Sequence, residues 1–404
     1  MVFENHIIIF SDKDCVYPLK GDKEVTWRRW FRQAIEKSAK QVWGAERWIK
    51  DNPIRLFLDN ACTQPFPITL PDPATATFHR VLVAHGVSKA CIKAFGGSGS
   101  LMIAPHVVGS MHTKSDKGGC QPFTMGQLDP KKGYVHVFDD TSLNIVMETL
   151  DTITDFVMYL TKKERLIQSG QLVWAAGEED LLAYYLKDIN GDGEHDFIIP
   201  SDFDALVIQE GLWEDFLRNP RRKAQIEEDK VSYMWDMLIE RFTKHILART
   251  QYFTTSSTVR QSERSMRFLA REPRTRRRIL ASSLLNLLET RPFSMKRARV
   301  LQPSRPDDPY YVFLLLPRFD RRSEEENREV RYKLLEAYCK VTKLMYPNAQ
   351  DIMGIATEAG SVLSEHRSED AIYLNARYWT DEDQADAKQL QQDLGILTTI
   401  TGPF

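Results

Sequence analysis

Apolar positions first recur at helical spacing between residues 26 and 50, where Trp27, Phe31, Ile35, Val42 and Ile49 share one side and Pro53 follows the end. That spacing predicts a helix with an aromatic face turned inward. Short apolar runs at 54–58, 81–84, 101–104 and 134–138, punctuated by Pro, Gly and Asp, read as strands. Residues 1–142 are therefore expected to form a mixed α/β domain, a sheet with flanking helices. From 143 to 163 one stripe of Val146, Leu150, Ile153, Val157 and Leu160 predicts a single helix. Helical patterns continue over 178–186, 213–218, 230–248, 262–271 and 275–289, which makes 143–303 a helical middle layer. Beyond a Pro-rich connector at 303–309 the texture changes to a buried strand at 310–316, a helix at 325–345, strands at 351–358 and 371–376, and a helix at 381–394. That order predicts a small α+β domain over 304–404, and the chain as a whole reads as α+β.

Length sharpens this picture. At 404 residues the chain exceeds the ~250 to 300 residues that one core serves, so two or three packed units are expected. Hydrophobic residues at 42% and charged residues at 27% are ordinary for globular proteins and exclude a disordered or fibrous class. The apolar run Ile7 to Phe10 lacks the flanks of a signal peptide, and the longest apolar run, at 310–316, is far below the ~20 residues a membrane helix needs. Five cysteines (Cys15, Cys62, Cys91, Cys120, Cys339) without a C-x-x-C pair point to free thiols in a reducing compartment. A cytoplasmic protein without a membrane partner is the expectation.

Charge adds the first functional hint. The whole chain carries −2, yet residues 249–300 hold thirteen Arg or Lys against three Glu. Arg264, Arg267, Arg271 and Arg274 recur at steps of three and four, Arg276, Arg277 and Arg278 open a second helix, and Lys296, Arg297 and Arg299 follow. Guanidinium groups match phosphate oxygens bidentately, so these ten residues are the candidate nucleic-acid contacts, with Tyr252, Phe253 and Phe268 placed to stack on bases. Three arginines at a helix start also oppose the helix dipole by ~0.3 to 1 kcal/mol, which calls for anions nearby. Acidic runs such as Glu227, Glu228 and Asp229 offer an internal alternative.

Candidate chemistry lies upstream. His136, on the strand at 134–138, leads to Asp139 and Asp140, a histidine and two carboxylates at a sheet end that could activate water. Asp140 or Thr141 could instead cap the following helix. On that single helix Glu148, Asp151 and Asp155 would share one face and could hold Mg or another divalent cation. Asp188, Asn190, Asp192 and Gly193 resemble the opening of an EF-hand or dockerin-like calcium loop spanning 188–196. The resemblance implies a Ca site, although the twelfth position is Ile199 rather than an acid. The glycine-rich segment 96–100 reads as a tight turn, since no G-K-[ST] follows it. His85, Cys91, His106, His112, Cys120 and His136 match no close zinc spacing, and the E-x-K letters at 228–230 open a helix rather than lie on a strand.

Together these features predict a nucleic-acid-binding protein, extended to a metal-dependent nuclease in which the arginines position the strand and His136, Asp139 or Asp140 handle water. The competing class is a non-catalytic adaptor whose basic helices dock on an acidic protein partner.

Overall fold

In the computed structural model, which describes residues 1–114, 120–249, 259–317, 322–359 and 369–398, the chain forms two compact units, Met1–Glu227 and Glu228–Phe404. The helices at 143–303 are thus shared between the units rather than forming a layer of their own. The mixed α+β class stands: the described strands form three mixed sheets of four strands each. Among the described residues no helix is long and apolar enough to cross a membrane.

The first unit begins with β1 (Val2–Phe3), which turns back antiparallel onto β2 (His6–Asp14). Asp22 then caps α1 (Lys23–Phe31) by accepting from the Val25 N–H at 2.8 Å, and the helix passes through a π turn at Arg32–Glu36 into α2 (Lys37–Asp51). Its inner face buries Trp27, Trp30, Phe31, Ile35 and Val42, as the aromatic spacing predicts, while the indoles of Trp27 and Trp30 donate to the carbonyls of His112 and Cys15. Residues 54–58 make a loop with only a single bridge, Phe57 to Pro65, instead of a strand. The chain returns as β3 (Thr77–His85), parallel to β2. After α3 (Ser88–Phe95), β4 (Met102–Val108) and β5 (Thr124–Gln127) comes β6 (Val135–Asp139), parallel to β3. The order β1-β2-β3-β6 therefore places three parallel strands side by side with their carboxyl ends on one edge.

The helix expected over 143–163 is broken. Helix α4 (Ser142–Thr149) stops, and Thr152 caps α5 (Ile153–Ser169) by accepting from the Asp155 N–H at 3.1 Å. The apolar stripe persists because both pieces pack on one core, with Val146, Leu150, Val157 and Leu160 buried together. Strand β7 (Leu172–Ala175), helix α6 (Glu178–Lys187) and strand β8 (Leu206–Ile208) complete the second sheet, ordered β5-β4-β7-β8, and α7 (Leu212–Arg218) and α8 (Pro220–Asp229) follow.

The second unit is built around β10 (Tyr310–Leu316), which follows α9 (Tyr233–Ala248), α10 (Val259–Ala270), α11 (Arg274–Glu289) and β9 (Arg297–Leu301). Alternation along β10 sends Tyr311, Phe313 and Leu315 into a core with α9, α10 and α11, and Val312, Leu314 and Leu316 into a core with α12 (Glu324–Met345). Strands β11 (Asp351–Glu358) and β12 (Glu369–Asn375) complete the order β12-β11-β10-β9, and α13 (Asp381–Leu394) packs on α12. Helix α12 lies so close on β11 that a Cβ at Gly354 would come within 2.7 Å of Cys339 Sγ. The basic helices α10 and α11 are thus one cover of a sheet buried on both faces.

Candidate functional site

The carboxyl ends of parallel strands are where an open α/β sheet presents side chains into a crevice. In register, Asp14 lies beside His85, and Ala84 beside Asp139, so the tips of β2, β3 and β6 coincide. Here His85, the last residue of β3, sits between two carboxylates. Its Nδ1 is 2.7 Å from Asp140 Oδ1, and its Nε2 is 2.7 Å from Asp12 Oδ1. Since a carboxylate only accepts, satisfying both contacts requires both ring nitrogens to donate, which is the imidazolium form. Burial opposes that charge, but the hydrogen bonds to Asp140 and Asp12 prevail and hold the His85 pKa above the usual imidazole range.

Asp140 is itself fixed. Its Oδ2 accepts from the Gly86 N–H at 2.7 Å and from the Ser88 hydroxyl at 3.4 Å. Gly86 has φ +91°, and a Cβ there would lie 2.4 Å from the Cys15 carbonyl, so only glycine makes the turn that brings this N–H to Asp140. The array remains reachable, with the His85 side chain 33% and the Asp12 side chain 71% exposed. A half-exposed, charged imidazole braced from behind and faced by an exposed carboxylate can give and take protons at one spot.

Of the three residues nominated upstream, Asp140 is in this array and the other two are elsewhere. Asp139 is buried and accepts from the N–H groups of Thr141 (3.0 Å), Ser142 (2.9 Å) and Leu101 (2.8 Å). Burial pushes its pKa up, and its work is to seat the start of α4, the capping role weighed for Asp140. His136 pairs in register with Val81, four residues short of His85, or about 13 Å at ~3.3 Å per strand residue. It is fully buried beside the Tyr134 ring, with its Nε2 4.0 Å from Glu164, and burial drives its pKa well below the ordinary value. A neighbouring histidine, His79, is pushed down to about 4 by burial and meets His6 at 3.0 Å. The sequence weighs His85 only as a zinc ligand, and Asp12 was missed because the apolar run Ile7 to Phe10 stops short of it; the His85-Gly86 turn at the strand end was the available signal.

The helix break separates the proposed metal row: Glu148 is on α4, Asp151 in the link, and Asp155 in the first turn of α5, where it accepts from the Thr152 hydroxyl at 2.6 Å. In the 188–196 loop Asn190 Oδ1 accepts from the N–H groups of Asp192 and Glu194, both at 3.0 Å, and Asp188 offers its carbonyl to His195. Lys162 stands 3.1 Å from Glu194, and Arg165 is 3.0 Å from Asp196, so side-chain cations already face the loop carboxylates. Among the described residues no group of three or more His, Cys, Asp or Glu is placed to hold a metal ion. The glycine-rich segment turns the chain between α3 and β4, its Ser98 hydroxyl donating to Glu179.

The basic residues meet acceptors within their own unit. Arg274 and Arg277 share Asp236, and Arg277, 6% exposed, also donates to the carbonyls of Ala270 and Glu272. Arg278 pairs with Glu228 at 2.7 Å and Asp229 at 3.6 Å, the internal alternative raised by the acidic run. Arg267 pairs with Glu263, Arg271 with Asp308, and Arg264 lies 3.9 Å from Asp351. Arg276 donates to the Gln302 carbonyl, Arg297 to the carbonyls of Thr290 and Pro292, Arg299 to Ser283 and Asn286, and Lys296 to the Leu394 carbonyl. Asp236, Glu228 and Asp229 are the anions that the crowded start of α11 calls for. Phe268 is buried against Tyr373, while Tyr252 and Phe253 lie outside the described residues.

No protein-family model, no curated protein and no solved structure matches the chain.

Proposed function

We propose that the first unit is a hydrolase acting by acid–base chemistry on phosphodiesters, with His85 as the acid, Asp140 as its positioning residue and Asp12 as the base. The observation that carries this reading is the imidazole held at 2.7 Å from two carboxylates on the edge where parallel strands end. In the reaction the oxygen of water bonds to phosphorus while Asp12 takes its proton, and the ester P–O bond breaks while His85 gives its Nε2 proton to the departing alkoxide oxygen. The proton on Asp12 then passes to His85 along the hydrogen bond between them, which restores both groups. The arginines of α10 and α11 enter only as parts of the second unit's packing, and no metal is needed to balance the step.

The test is cleavage of end-labelled single-stranded RNA and DNA by the purified protein, with and without magnesium. Strand cleavage that falls ~10² to 10⁴-fold in His85→Asn, with the variant still folded by circular dichroism, is expected. Intact strands under every condition, or cleavage indifferent to His85→Asn, would overturn the proposal.

A further inference from the structure

Just past β2 the chain shapes a pocket of about 200 Å³, open to solvent, whose lining includes Tyr17, Lys23, Thr26, Lys93, Ala94 and Phe123. Its walls combine three features. The Tyr17 and Phe123 rings meet at 5.5 Å with their planes tilted by 49° and make an apolar corner. Tyr17 is 7% exposed, and among the described residues its hydroxyl has no hydrogen-bond partner, an uncommon condition for a buried donor. Lys23 stands 4.6 Å from the Phe95 ring centroid and 5.2 Å from that of Phe123, and among the described residues neither it nor Lys93 pairs with a carboxylate.

We infer that this pocket is a binding site for a small organic anion made of one flat apolar ring and one carboxylate or phosphate. The ring lies along Tyr17 and Phe123, the anionic group meets Lys23 and Lys93, and the Tyr17 hydroxyl gains the acceptor it lacks. Size supports one ring, because the pocket falls below the ~300 to 1,000 Å³ that holds drug-sized ligands. The phenol is suited to donating: burial pushes its pKa up to about 12, so it keeps its proton. The site adjoins the array at His85, since Gly86 packs against the backbone of Cys15 and Tyr17. It is a claim about binding that holds whether or not His85 turns substrate over.

Saturation-transfer NMR on the full chain with phenyl phosphate, benzoate and uncharged benzyl alcohol tests it. Saturable binding of both anions is expected, with benzyl alcohol weaker. Affinity for the anions should fall about tenfold in Lys93→Met and in Tyr17→Phe, the loss of one charge-assisted or buried hydrogen bond. Lys93 is exposed and Tyr17→Phe keeps the ring, so both variants should melt like the parent, and Lys23→Met serves as the third. Failure of the anions to bind, equal binding of benzyl alcohol, or anion affinity indifferent to all three substitutions would each overturn the inference.

Discussion

Two carboxylates share one imidazole at Asp12, His85 and Asp140, and their hydrogen bonds set its charge against the burial that opposes it. Because the folded pKa lies above the unfolded one, the array's stabilising contribution is full below about 6.5 and is lost as pH rises through the raised value. Glu272 follows a similar rule in the second unit. It is 1% exposed and accepts from the Tyr311 hydroxyl at 2.8 Å, and burial, reinforced by the Asp308 charge, pushes its pKa up to about 7. The unfolded chain releases this proton from 4.5 upward while the fold keeps it, so stability declines between 4.5 and about 7. Glu272→Gln keeps the acceptor and removes the titration. Urea unfolding should show the variant gaining on the parent across that window by about 3 kcal/mol at most; parallel curves would refute it.

At the scale of elements, α11 depends on its buried arginine. Arg277 joins Asp236 to the carbonyls of Ala270 and Glu272, so Arg277→Met leaves buried acceptors unpaired and should cost ~3 to 5 kcal/mol. Lys296→Met, which removes one long contact to a carbonyl, should stay within about ±0.5 kcal/mol, both variants being read by urea unfolding. Long or strongly patterned elements were legible in the sequence: β10, β11 and α13 occupy the spans that their apolar spacing predicts. The short strands β5, β7 and β8 carry too few residues to show a period. The break before α5 was hidden because the apolar stripe runs on through it, and only Thr152 as a cap marks it. The candidate site was less legible still. His85 meets residues 73 and 55 positions away, and no local spacing records a convergence made by the parallel alignment of three strands. The basic segment shows the reverse problem, since charge is plain in sequence while its internal partners, such as Asp236, are not.

Across the molecule the two units are built differently. The second is a sheet clad by helices on both faces, and the first carries the candidate site at the carboxyl ends of the three parallel strands of a mixed sheet. The same sheet carries the half-buried His6 and the buried His79 and His136 on adjacent strands, away from the site. His79, at about 4, and His136, well below its usual value, stay neutral in the fold while the unfolded chain takes up protons below 6.5. Their contribution is therefore present above 6.5 and is lost as pH falls toward 4, about 3 kcal/mol for the 1%-exposed His79. His79→Gln should flatten that part of the acid unfolding curve followed by circular dichroism, and an unchanged slope would contradict it. The most direct measurement of the site is the pH dependence of strand cleavage in the parent and in Asp140→Asn. If His85 is the acid, the parent rate persists above 6.5 and falls as His85 loses its proton. In Asp140→Asn that fall moves to lower pH, because one of the two carboxylates holding the charge is gone. A fall at the same pH in both proteins would contradict the role given to His85.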